Sequence, residues 1–336
     1  MIFPCFALFL LGILKRIVEM KMRNRIRPGL AIFALAACMF ADAQTAPSIP
    51  AELVAREKSH PAGLDKLAGE RAKLLVTPLE SVTFDKKVVA PSGNPHDYIS
   101  VGIYWWPDPG KPDGLPYIRR DGVTNPEAFR NDSGKLSRMA SAVRDIALLY
   151  HFTGDEQLAA HGVELLRTFF SDPRTAMNPH LTYAQSVPGR EDGRPLGIID
   201  TYILIDLVNS IALLKNAAAM TEEDRRALKE WFGAYTDWLC SDRMRKAFAG
   251  SLNNIAVAYH AQIAAYAVFC GRGELAREHL GILEKMIPVF IRDDGVLPFE
   301  VTRTKSWDYS VYTLDILFSA AATARTLGMD WTSENT

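Results

Sequence analysis

The residues best suited to chemistry in this sequence fall into three clusters. The first, Tyr104-Trp105-Trp106-Pro107-Asp108-Pro109, sets three large aromatics in a row beside two prolines. The prolines exclude a helix interior, and the segment lacks the alternation of a half-buried strand. A rigid loop presenting flat rings is expected. Such rings suit the apolar face of a sugar, and an indole N–H can still donate a hydrogen bond; a plug closing one end of a helical core is the plainer alternative. The second cluster is Asn253-Asn254-Ile255, running on to Tyr259 and Gln262. Asparagine is a poor helix former, so a pair at a helix start needs a reason, and an N-cap at Asn253 supplies one. At the helical period Ile255, Tyr259 and Gln262 share a face and Asn254 lies on the next stripe, so amides and a phenol are expected to point into one cavity. In the third cluster Arg303 and Lys305 precede the last helix, and Tyr309 and Tyr312 lie on its first turns.

Around these clusters the pattern predicts helices. Apolar residues at three-to-four spacing mark 135–152, and further helices are expected over 156–170, 197–216, 222–240, 251–270, 273–291 and 306–327, with an extended piece over 296–301. Thr221 and Asp224 form a capping-box pattern, with Asp in place of Glu. Stretches 82–132 and 171–196 are rich in Gly, Pro, Asn and Asp and read as long ordered loops, which in compact domains usually carry function. Helical hairpins with short connections on one side and long loops on the other predict an all-α chain curled into an incomplete (α/α) toroid. The expected domain covers 82–336, with an open C-terminal end suggestive of truncation, after a lead-in over 44–81 that is helical around 51–58 and 64–75.

Residues 1–43 read as a signal peptide with an over-extended start. Arg23, Arg25 and Arg27 precede an apolar run over 30–40 and a small-x-small site, Ala41-Asp42-Ala43; Met20 or Met22 is the better initiator. A lipid anchor at Cys38 is the alternative processing. Neither this run nor the earlier apolar run over 2–14 reaches the ~20 residues of a membrane span, and a periplasmic or secreted protein is expected. A formal net charge of -1 argues against nucleic-acid binding by bulk charge. The loop arginines Arg119, Arg120, Arg190, Arg194 and Arg303 could still meet an acidic ligand, with solvated surface as the plainer reading of each. Cys240 and Cys270 are placed near the ends of antiparallel helices, too far apart for a disulfide. No paired His/Cys spacing suggests a metal, and no cofactor is expected.

The chain resembles the alginate-lyase domain family of polysaccharide lyases. The matching words are Asp97-Tyr98-Ile99-Ser100, Tyr104-Trp105-Trp106-Pro107-Asp108-Pro109, Gly114-Leu115-Pro116-Tyr117, Arg120-Asp121-Gly122 and Asn125-Pro126-Glu127. Further on come Met177-Asn178-Pro179, Tyr183-Ala184-Gln185, Gly197-Ile198-Ile199-Asp200, the Asn253-Asn254 helix and Arg303-Thr304-Lys305-Ser306 with Tyr309-Ser310. The resemblance implies an α/α toroid and β-elimination on a uronic-acid polysaccharide, alginate or a related polyuronate. Such a reaction removes the C5 proton of a uronate and expels the C4 oxygen; donors that neutralise the carboxylate stabilise the enolate-like transition state, and one Tyr can act as base and acid when both groups leave from one side. The resemblance carries the catalytic roles to Tyr309, Arg303 and Asn254. Substrate contacts are expected at Tyr104, Trp105, Trp106, His180, Gln185, Asn253, Tyr259, Gln262 and Lys305. Tyr309 must ionise below its usual pKa of about 10 to act as a base, which Arg303 would favour.

The sequence departs from the family at Ile255, where a His that neutralises charge or acts as base is usual. His260 lies about 140° around the helix from that position, which leaves His96 and His180 in the loops to reach in. Two other functions remain open: an impaired member that only binds acidic oligosaccharide, and a toroid glycoside hydrolase using two of Asp192, Asp200 and Glu300 at roughly 5–10 Å.

Overall fold

The structure is a computed structural model that describes residues 68–329 and 331. The expected leader, the Cys38 anchor site and the first helix of the lead-in lie outside the described residues. The described chain is mostly helical.

After a short helix, α1 (Arg71–Leu75), the first long loop carries β1 (Ile99–Val101), β2 (Trp105–Trp106) and β3 (Ile118–Arg119). β2 pairs antiparallel with β3, placing Trp105 opposite Arg119 and Trp106 opposite Ile118. The aromatic triplet was expected to be a strandless loop. Alternation failed as a guide because both tryptophans are half-buried, so a two-residue ladder forms without a clear inner and outer face. A 3₁₀ turn, Pro126–Arg130, leads into α2 (Asp132–Thr153), which starts three residues before the expected 135 because Asn131 caps it by accepting the Ser133 N–H.

Asp132 opens α2 and anchors the loop before it. Its carboxylate accepts from Lys86 at 2.7 Å and from the Ile99 N–H at 3.0 Å, and Lys86 also donates to the Val82 and Asp97 carbonyls. Both ions are almost fully buried, so removing either partner would strand a charge at roughly 3–5 kcal/mol.

Asp155 caps α3 (Glu156–Leu166) by accepting two N–H groups; the helix loosens into a π-turn over Arg167–Ser171, which ends one residue past the expected 156–170. Strand β4 (Tyr183–Ser186) pairs in parallel with β1. The span expected as one helix over 197–216 is a 3₁₀ turn, Pro195–Thr201, then α4 (Leu204–Leu213) and a second 3₁₀ turn, Leu214–Asn216. Pro195–Asn216 is apolar and long enough to cross a membrane, but Leu204, Leu207, Val208 and Ile211 are buried in the core. Core packing accounts for that apolarity.

The Thr221/Asp224 capping box is present at α5 (Glu222–Leu239). A helix the periodicity did not reveal, α6 (Asp242–Phe248), precedes α7 (Asn254–Phe269) and α8 (Gly273–Phe290). Residues 296–301, expected to be extended, form turns closed by Glu300 N–H to Leu297 O at 3.0 Å. The last described helix is α9 (Ser306–Thr326).

Helix α7 is the hub, packing on α4, α5, α8 and α9, while α2 packs on α3 and α4. Apolar on nearly every side, α7 buries most of its length, as a helix surrounded by neighbours must. Phe170, Trp231, Phe232, Tyr235 and Tyr266 fill the space beside it with tilted and edge-on ring contacts. Cys240 and Cys270 follow the ends of α5 and α7 and are free thiols.

Candidate active site

The start of α7, the entry to α9 and the loop strands meet at a cavity of about 520 Å³. Asn253 caps α7 with a side-chain oxygen that accepts the Ile255 and Ala256 N–H groups at 3.0 Å each. That cap brings Asn254 and Ile255 to the cavity wall. Burial raises the pKa of the Glu300 carboxyl, opposed by hydrogen bonding with Thr313, the charge of Arg303 and the Asn254 backbone N–H.

On the α9 side the Arg303 guanidinium lies 3.9 Å from the centre of the Tyr309 ring. The Tyr309 hydroxyl donates to the Tyr104 hydroxyl at 3.1 Å, and all three residues line the cavity. A second tie joins the same walls, Thr304 Oγ1 to Asp121 Oδ2 at 2.8 Å. Gly122, at φ +73°, lets this happen: a Cβ there would meet Thr304 Cγ2 at 2.8 Å.

The Tyr309 phenol departs from the sequence expectation. Burial, followed by the hydrogen bond and charge interaction with Tyr104, raises its pKa; Arg303 lowers it but does not prevail. The resting phenol is therefore firmly protonated.

The opposite wall is built on a buried carboxylate. Asp200 accepts from Tyr98 at 3.0 Å, from Ser100, and from Gln185 Nε2 at 2.7 Å; burial raises its pKa against these bonds. Gln185 adopts φ +52°, a left-handed conformation costly for a non-glycine residue. Three bonds hold it there: the Asp200 contact, its N–H to Ser100 Oγ at 2.8 Å, and its carbonyl accepting Arg194 Nε at 2.7 Å. Gly102 sits so close that a Cβ would meet Trp105 Cδ1 at 2.5 Å and Arg194 Nη2 at 2.6 Å. The Arg190 and Arg194 guanidiniums each lie 5.6 Å from the Trp105 ring centre. Trp105 thus positions cations as well as offering a ring.

Of the expected site residues, Tyr104, Trp105, Gln185, Asn254, Arg303, Lys305 and Tyr309 line the cavity, and five others do not. Trp106 turns away, donating Nε1 to the Val123 carbonyl under Arg120. Asn253 spends its side chain on the cap. His180 is held 3.1 Å from the buried Asp97 carboxylate. Tyr259 donates to the Leu239 carbonyl and stacks on Phe248, while Gln262 is fully buried among Thr201, Tyr266 and Ile198. Nor does His96, bonded to the Ala176 carbonyl, or His260, bonded to His279, line the cavity in place of the missing histidine.

Sequence reasoning missed Asp308, Thr124, Leu196 and Ile199 in the lining; Asp308 follows Trp307 in a cluster read only for its cations and phenols, and a small or aliphatic loop residue carries no signal of its own. Arg119 and Arg194 were flagged as loop arginines, and both line the cavity. Among the described residues the lining thus holds four cations, Arg119, Arg194, Arg303 and Lys305, and one carboxylate, Asp308, while Arg119 pairs with Asp121 at 2.6 Å beside it. The hydrolase alternative loses its pair, because none of Asp192, Asp200 and Glu300 lines the cavity.

The described site is a cavity around which the loops of a helical scaffold gather cations, an amide and paired phenols, and the comparisons with known proteins give this chain a family. The sequence model described as alginate lyase matches residues 81–336. This chain belongs to the alginate lyase family. It is similar to a crystal structure of an alginate lyase from Bacteroides ovatus, with 37% sequence identity, a TM-score of 0.79, and coverage of 86% of this chain and 78% of the other. None of the curated proteins compared with it matches.

Proposed function

We propose that this protein cleaves a uronic-acid-containing polysaccharide, alginate or a related polyuronate, by β-elimination, with Tyr309 as proton carrier. The observation that carries this is one juxtaposition: Tyr309 lines a cavity together with Arg119, Arg194, Arg303 and Lys305, and among the described residues Asp308 is the one carboxylate in that lining. An anionic sugar is the ligand such a field attracts. In this reading Asn254, at the capped N-terminus of α7, donates to the uronate carboxylate, where the positive end of the helix adds to the effect. Arg303 lies on the Tyr309 ring face, where it favours the phenolate in the transition state. The hairpins α2–α3 and α7–α8, joined by short connections, support an incomplete α/α toroid with the long loops at its cavity end. Export to the periplasm or beyond rests on the leader pattern.

The test is to incubate the protein with alginate and with glucuronan and follow the ultraviolet absorbance of the C4–C5 double bond. Absorbance that grows with wild type and vanishes with Tyr309→Phe supports elimination. New reducing ends without absorbance point to hydrolysis and overturn the reading.

Ile255 favours a second reading. It lines the cavity beside Asn254, where an isoleucine can neither neutralise a carboxylate nor move a proton, and a chain impaired in catalysis would bind acidic oligosaccharide without cleaving it. Ile255→His separates the two. A lyase complete without that histidine is expected to change by less than about tenfold, whereas an impaired one gains on the order of 10²-fold, the usual contribution of a positioned acid or base.

A further inference from the structure

Resting on the elimination reading above, we propose that the proton work is divided between two phenols, with Tyr309 as the base at C5 and Tyr104 as the acid at the leaving oxygen. Both hydroxyls line the cavity, and they are joined directly, Tyr309 donating to Tyr104 at 3.1 Å. They come from separate parts of the chain, the loop hairpin and the first turns of α9, and the Thr304–Asp121 bond holds those parts together. A hydrogen bond between two phenols that line one cavity is a path by which a proton can return after turnover.

The division follows from what flanks each ring. Tyr309 has the Arg303 guanidinium on its ring face, so it is the phenol that can carry negative charge. Tyr104 accepts the Tyr309 hydrogen bond and keeps its own proton for another acceptor. Among the described residues no histidine lines the cavity. In the reactive state the pair has lost one proton, from Tyr309. The phenolate oxygen takes the C5 proton as that C–H bond breaks, and the released electron pair forms the C4–C5 double bond. The C4–O bond breaks, and the departing oxygen takes the proton of Tyr104. Tyr309 is then neutral and Tyr104 is the phenolate; transfer of one proton across the 3.1 Å bond restores the start. Burial and the bond to Tyr104 hold the Tyr309 proton firmly at rest, so the rate is expected to climb with pH into the alkaline range.

The experiment uses two leaving groups. One substrate is the oligouronate that wild type cleaves, chosen from alginate and glucuronan fragments. The other is the corresponding uronate bearing fluoride at C4, which departs without a proton. Tyr104→Phe is expected to lose about 10²–10³-fold in kcat on the oligouronate, the usual worth of a positioned acid, and at least about tenfold less than that on the fluoride, each enzyme being compared on its own alkaline plateau because the Tyr104 bond also raises the pKa of Tyr309. Tyr309→Phe is expected to lose both reactions. Equal losses of Tyr104→Phe on the two substrates would make Tyr104 a binding or structural residue, and full activity on the oligouronate would make Tyr309 sufficient alone; either result overturns the division. Wild type that forms unsaturated product from neither polymer and expels no fluoride overturns the elimination reading itself, and the division with it.

Discussion

Helix α7 does two different jobs along one axis. Its first residues, Asn254 and Ile255, reach the cavity wall, while Tyr259, Gln262 and Tyr266 are sealed in the core. Ile255, Tyr259 and Gln262 do share a helical face. Yet seven residues between 255 and 262 raise the chain by roughly 10 Å, more than the depth a cavity at the helix end can reach. Angular position tells which neighbours a side chain meets; axial position tells whether it meets water, substrate or protein. Polar residues at the two depths are therefore satisfied differently: Asn254, though largely buried, lines the cavity, and Gln262 makes bonds to Thr201, Tyr266, Ile198 and Ala258.

The largest effect that would break this comparison is functional. Asn254→Ala should cost about 10²-fold or more in kcat, the usual loss when one donor to a developing oxyanion is removed, with the thermal midpoint nearly unchanged. Gln262→Leu should do the reverse. It strips the Thr201 and Tyr266 hydroxyls of a shared acceptor in a dry site, which should cost about 2 kcal/mol of stability by denaturant titration while the activity per folded molecule holds. If Gln262→Leu instead raised KM with stability intact, the core assignment would be wrong.

A third face of α7 sharpens the contrast through pH. His260 on α7 and His279 on α8 share a hydrogen bond, Nδ1 to Nδ1 at 2.9 Å. Burial, with the neighbouring imidazole second, lowers His260 to about 3; burial lowers His279 to about 4, with Glu278 opposing and Arg245 from α6 assisting. Tyr259 packs its ring edge-on to both. Unfolded histidine titrates near 6.5, so below that pH the unfolded chain binds protons the folded pair refuses. Stability is full above about 6.5 and falls as pH drops toward 4 and then 3. Denaturation midpoints of wild type should fall between about pH 7 and about pH 4 more than those of His260→Leu; equal slopes would remove the pair as the cause.

Much of this was legible in the sequence where local chemistry decides structure. The caps at Asn253, Asp155 and Thr221 are satisfied within three residues, so their motifs predicted them. Arg303 and Tyr309 fell in one cluster because the turn before α9 and its first two turns are contiguous. What escaped was set by distant partners. His180 looked like a loop donor until Asp97, far back in the chain, claimed it. Trp106 follows Trp105 directly, and only the β2–β3 ladder turns one toward the cavity and the other toward Val123. The helix expected over 197–216 breaks because Thr201 and Asp200 serve other walls, a requirement no periodicity encodes.

The smallest expected effect tests where the two jobs of α7 divide. Asn253 touches only the backbone N–H groups of Ile255 and Ala256, so Asn253→Ala should cost about 1 kcal/mol, the usual worth of an N-cap. Activity should drop by no more than about threefold, because a frayed first turn misplaces Asn254 part of the time but leaves its amide present. Asn253→Ser, which also caps, should restore both stability and rate. A fall in kcat as deep as that of Asn254→Ala, with stability unchanged and no rescue by serine, would mean the Asn253 amide itself meets the sugar. The functional end of the helix would then begin one residue earlier than the cap geometry places it.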